Sequence, residues 1–374
     1  MGIKNLTRFL TQQFPELLED VTLKDFAGKK IAIDTAIFMC KFKASSGKNW
    51  LDAFVSLVSW MWECGVTPIF VLDNGSPPEK AIEKKKRYEA KKKSLEKIAA
   101  LEKAIETYKV DKIVTPLLKE VHQKESKNEE NSRRKSLLLR PHVRKKEFNL
   151  AVVESKLARM KSHLFTITPS DWENLKALFD VLKIEWIVAN GEGEKHCAWM
   201  VNTKNASAVL SEDSDCLAYG VETFLLKPNF SKKSVKKIIF SKLLQSLELS
   251  KEEFVDFCIM CGTDYNPNIK KIGVKRSFEL IQKHRSIESV GKEGLDIAVL
   301  THEGSRLLFA LPDEYSFTET KQEEELTNRL RPSASGLECR MNKTEVATFF
   351  FQKNMKSDVH TIDRINSDFV NSSK

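Results

Sequence analysis

The chain has 374 residues, 41% hydrophobic and 30% charged, and its 61 Lys and Arg against 52 Asp and Glu leave a net charge of +9. That apolar content fills a sizeable core in one large domain or two, which excludes a mainly disordered or collagen-like chain. The longest apolar stretches, Ala53–Trp62 and Val66–Leu72, fall far short of the roughly 20 residues that cross a membrane. The opening Met1-Gly2-Ile3-Lys4-Asn5-Leu6-Thr7 has no secretory apolar core and no Ser or Thr where a myristoylation signal needs one. An intracellular protein, not secreted and without a lipid anchor, is expected. Of seven Cys, only Cys258 and Cys261 form a C-x-x-C pair. No second pair completes a structural zinc site, so both read as buried apolar residues of one helix in a reducing compartment.

In chain order, Lys30–Asp34 and Thr67–Asp73 are short apolar runs that each end in an acid. Continuous runs of this kind suit strands buried on both faces. Ile184–Ala189, Ala206–Leu210, Thr223–Lys227 and Val235–Phe240 read the same way, and helical spacing appears at Leu51–Cys64, Leu150–Met160, Asp171–Leu182 and Glu192–Val201. The alternation predicts an α/β fold with a mainly parallel central sheet flanked by helices, whose site sits beyond the carboxyl ends of the strands. From Glu79 to Lys109 no Gly or Pro interrupts a run of helix formers, which predicts one long helix or two. Residues 123–147 read as a mobile insertion. Glu252–Met260 and Val274–Lys283 read as helices flanking the turn Gly262–Pro267, and Asn354–Lys374 as a frayed end.

The charge is uneven. Between Lys80 and Lys161, 25 Lys and Arg face 12 Asp and Glu, a local +13 (25 − 12) that leaves −4 (9 − 13) elsewhere. Two runs carry it: Lys84, Lys85, Lys86, Arg87, Lys91, Lys92 and Lys93, then Arg133, Arg134, Lys135, Arg140, Arg144, Lys145 and Lys146. Such runs serve as solvated helix faces, as nuclear-import signals or as phosphate-binding surfaces. The last reading gains from the acids on either side: Asp34 and Asp73 at strand ends, Glu192 and Glu194, Asp213 and Asp215, and Asp264. Each alone fits a helix start or a turn. Converging at one sheet edge, they repel one another and raise their own pKa values unless cations intervene. Oxygen-only ligands suit Mg²⁺ or Mn²⁺ rather than zinc. An acidic metal site beside a basic segment fits phosphodiester cleavage, in which one ion activates a water and a second, about 4 Å away, stabilises the leaving oxygen. No G-x-x-x-x-G-K-[ST] loop is present, which argues against an ATP-driven enzyme.

Met1–Leu6, Ile31–Asp34, Val71–Lys80, Gly191–Glu194, Ser211–Asp215, Cys261–Tyr265 and Ile269–Arg276, taken in order, resemble the flap endonuclease family. These are the structure-specific 5′ nucleases that include the xeroderma pigmentosum G type. The resemblance implies a PIN-like nuclease core in two halves, 1–80 and 166–250, and a basic helical arch over 81–165. It covers residues 1 to about 290 and further implies a helix-two-turn-helix element over 251–300; a C-terminal region over 301–374 is expected beyond it.

By the same resemblance, Asp34, Asp73, Glu192, Glu194, Asp213, Asp215 and Asp264 surround two Mg²⁺ ions, with Mn²⁺ as a substitute. Lys80 and Arg87 act on the scissile phosphate, and Gly2 lies near the site. Lys84 and Lys91 of the arch, with Lys270, Lys271, Gly273, Lys275 and Arg276, contact DNA carrying a 5′ flap or junction, and K⁺ sits on main-chain carbonyls of the hairpin. The family's activity implies DNA replication, repair or recombination, in the nucleus or, for a viral protein, at a replication site in the host cell.

Three departures stand out. Cys40 replaces a base-stacking Tyr, a role that falls to Phe38. Asn74 lengthens the usual Asp-Gly step. Arg87 and Glu192 are 105 residues apart (192 − 87), farther than is usual, as in divergent members from large DNA viruses. Lys343–Phe350 has the spacing of a sliding-clamp-binding box, but equally that of a buried aromatic helix. A 5′–3′ exonuclease, a junction resolvase, an RNA nuclease and a non-cleaving nucleic-acid scaffold remain as alternatives.

Overall fold

The computed structural model describes residues 2–136, 148–162, 164–312 and 341–372. The chain divides into two compact units, Met1–Glu83 with Ile167–Lys374, and Lys84–Thr166.

In the first unit the strands are β1 (Glu19–Val21), β2 (Lys30–Asp34), β3 (Thr67–Leu72), β4 (Glu185–Val188), β5 (Ala208–Leu210), β6 (Thr223–Asn229) and β7 (Ser234–Ile239). They form one sheet in the order β1-β7-β6-β5-β2-β3-β4. The five from β4 to β6 are parallel, while β7 and β1 add an antiparallel edge. The continuous apolar runs are explained by burial on both faces. Ile31, Ile33, Phe70, Leu72 and Leu210 enter one apolar cluster, and Ala32, Ile69, Val71 and Val209 enter the other. Strand order reverses between β2 and β5, and at such a switch point the loops part to leave a crevice at the carboxyl edge. β2 ends in Asp34, β3 is followed by Asp73, and β5 leads to Asp213.

Helices Lys251–Cys261 and Val274–His284 flank the 262–273 turn. Cys258 and Cys261 are buried on the first of them. The second unit holds most of the unbroken helix Ala81–Asp111, with Pro116–Ser136 and Leu150–Ser162. Leu101, Ala104, Ile105, Leu118 and Val153 make its small core. Buried Glu125 takes ion pairs from Lys156 at 2.8 Å and from Arg159.

Two expectations change. The insertion expected to be mobile over 123–147 is helical to Ser136; its remainder, with Arg140, Arg144, Lys145 and Lys146, lies outside the described residues. The end expected to be frayed from Asn354 instead forms the helix Val359–Ser372. Ile362 and Val370 are buried there, and Phe369 stacks on Trp62 with ring centroids 6.0 Å apart. Lys343–Gln352 is the aromatic helix, with Val346, Phe349 and Phe350 in the core. No helix among the described residues is long and apolar enough to cross a membrane.

The C-terminal helices are tied down by Asp52, whose Oδ1 accepts from Lys356 N (2.9 Å), Ser357 N (2.7 Å) and Ser357 Oγ (2.6 Å). Asp52→Ala is expected to cost about 1–2 kcal/mol, read as a lower urea midpoint at unchanged slope.

Candidate metal centre and nucleic-acid interface

The acids meet at the carboxyl edge of the sheet, in the first unit. Ligand oxygens of Asp34, Asp73 and Glu194 lie within 4.8 Å of one another; Asp34 and Glu194 are buried, and Asp73 stands at the exposed rim. Lys80 pairs with Glu192, with Glu194 at 3.4 Å and with Asp264 at 3.6 Å. Asp213 and Asp215 complete the set, with Asp215 N donating to Asp213 Oδ1 at 3.0 Å.

The backbone is shaped for this crowding. Gly193 N donates to Asp73 Oδ1 at 2.8 Å, and a Cβ on Gly193 would lie 2.6 Å from that oxygen. Gly2, with φ +79°, sits so close that a Cβ there would fall 2.0 Å from Asp213 Oδ1. Ile3 N holds this segment in place by donating to Ser214 Oγ at 3.0 Å. Asn74, the extra residue after Asp73, donates its N–H to Gly191 O at 2.9 Å, tying the Asp73 loop to the Glu192 loop.

Electrostatics follow from the burial. Asp34 is pushed up to about 7, first by burial and then by the charges of Asp73 and Asp213, against the Ser211 hydroxyl, which donates to Asp34 Oδ2 at 2.7 Å. Asp73 rises to about 6: although the residue is exposed at the rim, loss of water on the side of its carboxylate that faces the other acids comes first, the Gly193 N–H and Lys80 oppose it, and Glu192 and Asp213 add to it. Burial, then neighbouring carboxylates, raises Glu194 and Asp215 well above the ordinary range. Lys80 gains basicity because Glu194, Glu192 and Asp264 outweigh its burial. Among the described residues, Asp34 Oδ1 and both carboxylate oxygens of Asp215 are buried without a hydrogen-bond partner. Buried carboxylate oxygens left without a partner fit a hard divalent cation.

Lys270, Lys271, Gly273, Lys275 and Arg276 are exposed on the hairpin and on the first turn of Val274–His284, a ready surface for phosphates. The carbonyls of Ile269 and Ile272 accept from Asn268 Nδ2, at 3.2 and 2.8 Å. Lys84, Arg87 and Lys91 lie on the long helix of the second unit.

Phe38 does not fit its assigned base-stacking role: it is fully buried and packs on Phe42 at 5.7 Å. Cys40, which shares the helix Thr35–Ser46 with Phe38, is half-buried. Sequence reasoning did not single out Ser211, Tyr219 or Tyr265. The first and last lie inside quoted motifs, where their position was the available signal; Tyr219 carried none.

Residues 1–94 match the XPG N-terminal domain and residues 183–264 the XPG I-region. A probable RAD2-like endonuclease of Invertebrate iridescent virus 3 is 32% identical over 346 residues, covering 86% of this chain and 88% of its own. A flap endonuclease 1 of Enterocytozoon bieneusi (strain H348) is 28% identical over 310 residues, 78% of this chain and 72% of that one. Among solved structures, the catalytic core of Rad2 in complex with DNA substrate shares the fold, with a TM-score of 0.57 at 15% identity over 98% of this chain and 100% of that one.

A pH dependence follows. Asp34 and Asp73, raised to about 7 and about 6, keep protons in the metal-free fold that the unfolded chain releases above about pH 4. Their contribution to stability is therefore full at low pH and is lost as pH rises through the folded values. Melting curves in EDTA are expected to fall between about pH 5 and about pH 7.5, and Mg²⁺ to raise melting more at the higher pH. Equal Mg²⁺ shifts at both pH values would contradict this.

Proposed function

The chain belongs to the family of XPG- and RAD2-type endonucleases, nucleases that hydrolyse phosphodiester bonds, and from that premise we propose a divalent-metal-dependent 5′ nuclease that cuts DNA at flaps and single-strand/double-strand junctions. The observation that carries this reading is the buried, unsatisfied carboxylate cluster around Lys80, in the same compact unit as the exposed basic hairpin. The likeness to an iridescent-virus protein supports a place in viral DNA replication, repair or recombination in the host cell.

In this reading, Asp34, Asp73, Glu192, Glu194, Asp213, Asp215 and Asp264 hold Mg²⁺ or Mn²⁺. When bound, the two ions supply an activated water and charge stabilisation at the leaving oxygen. The protein's own groups do the positioning. Ser211 pins Asp34, and the Gly193 N–H pins Asp73, so both carboxylates keep one orientation. Lys80 neutralises the acids in the free protein and offsets charge that develops on the scissile phosphate.

Lys270, Lys271, Lys275 and Arg276 track the duplex backbone, while Lys84, Arg87 and Lys91 attract the 5′ single strand. Both sets bind by neutralising phosphates, so binding weakens steeply with salt. The proposal leaves out a clamp partner, because Val346, Phe349 and Phe350 of Lys343–Phe350 are in the core. K⁺ on the main-chain carbonyls of the hairpin stays in this reading, because an oxygen that accepts from Asn268 can still coordinate a cation.

Asp213→Asn and Asp215→Asn are each expected to lower flap cleavage at least about 100-fold while DNA binding is kept. Wild-type rates in either variant would refute the assignment. Rates on a 5′ flap, a nicked duplex, a four-way junction and single-stranded RNA decide the substrate, and a preference for any but the flap would redirect the reading. Arg87→Ala is expected to slow flap cleavage about 10-fold or more through lost phosphate stabilisation, measured as single-turnover rate.

A further inference from the structure

Glu192 stands at the start of the helix Gly193–Asn202, and its side chain makes no capping hydrogen bond there. Its orientation comes from elsewhere in the same unit. The hydroxyl of Tyr265, buried in the turn after helix Lys251–Cys261, donates to Glu192 Oε2. With its proton committed to a carboxylate, the Tyr265 oxygen is left to accept from the hydroxyl of Tyr219, 2.9 Å away. The ring of Tyr265 faces Lys80, whose Nζ lies 5.5 Å from the ring centroid. One side chain thus touches both the ammonium and the acid it pairs with.

This arrangement is braced from behind. Phe309 packs edge-on against Tyr219 and Tyr265, at 5.4 Å from each. Its helix, His302–Phe309, is held by Arg306, which grips buried Asp256 through two bonds of 2.6 Å and Glu288 through bonds of 2.6 and 3.0 Å. Lys195, on the helix that Glu192 opens, donates to Leu308 O at 3.1 Å.

We propose that Tyr265 is the positioning residue of the metal centre: it fixes the Glu192 carboxylate against Lys80, Tyr219 sets the direction of its hydroxyl, and the His302–Phe309 helix braces both rings. The inference rests on the metal-binding reading of the acid cluster. A ligand carboxylate held by an outer hydrogen bond enters the site already oriented, and loss of such a partner typically lowers metal affinity or activity about 10- to 100-fold.

The test is calorimetric titration of Mn²⁺ into the DNA-free full chain, for wild type, Tyr265→Phe and Tyr219→Phe, with melting temperatures in EDTA alongside. Tyr265→Phe keeps the ring, its packing on Phe309 and its contact with Lys80, and removes the hydroxyl that donates to Glu192 and accepts from Tyr219. Expected are an affinity for Mn²⁺ about 10-fold or more weaker in Tyr265→Phe, a smaller loss in Tyr219→Phe, and only a modest drop in EDTA melting from the buried partners left without a hydrogen bond. Mn²⁺ affinity in Tyr265→Phe equal to wild type would overturn the inference and leave the metal site standing. No Mn²⁺ binding by wild type would remove the metal site and the inference with it. Should Tyr265→Phe melt far below wild type in EDTA, Tyr219→Phe decides: a weaker affinity supports the positioning role, and an unchanged one ends it.

Discussion

Seven carboxylates gathered at one end of a sheet repel one another, and the groups around them answer that repulsion in the absence of other cations. Lys80 reaches three of them, the Ser211 hydroxyl and the Gly193 N–H satisfy two more, and Asp34 and Asp73 are raised to about 7 and about 6. These devices leave Asp34 Oδ1 and the oxygens of Asp215 unserved. Buried polar atoms without partners are costly, and a site that keeps them is built for something that arrives later.

The fold supplies the walls. A mainly parallel sheet buried on both faces gives rigid strand ends, and the reversal of strand order between β2 and β5 opens the crevice in which those ends converge. Close approach is then a matter of small residues. Gly2 and Gly193 stand where a methyl group would strike a carboxylate. The apolar clusters on the two faces of the sheet hold the strands whose ends carry Asp34 and Asp73.

How much of this was legible in the sequence varied with the range of the interaction. Interior strands announced themselves because burial on both faces leaves no polar positions. β1, a short edge strand of Glu, Asp and Val, showed no such pattern. The helix Thr35–Ser46 escaped notice because Thr35, Ile37, Phe38, Met39 and Phe42 are all buried and blur its helical period. The acids were readable from their places at strand ends and within compact motifs. Tyr265 and Tyr219 were not, because a hydroxyl matters only through its partner, and theirs lie 73 and 46 positions along the chain. The same limit explains Phe38, whose burial no local pattern reveals. It also explains the C-terminal helix, which is anchored by Asp52 about 304 positions earlier.

The account stands on metal-dependent incision of a branched DNA. The measurement that tests it most directly is cleavage of a 5′-labelled double-flap DNA by the full chain in Mg²⁺, in Ca²⁺ and in EDTA. The predicted result is a short labelled oligonucleotide that appears in Mg²⁺ alone. Cleavage that persists in EDTA, or tight binding with no cleavage in Mg²⁺, would contradict it.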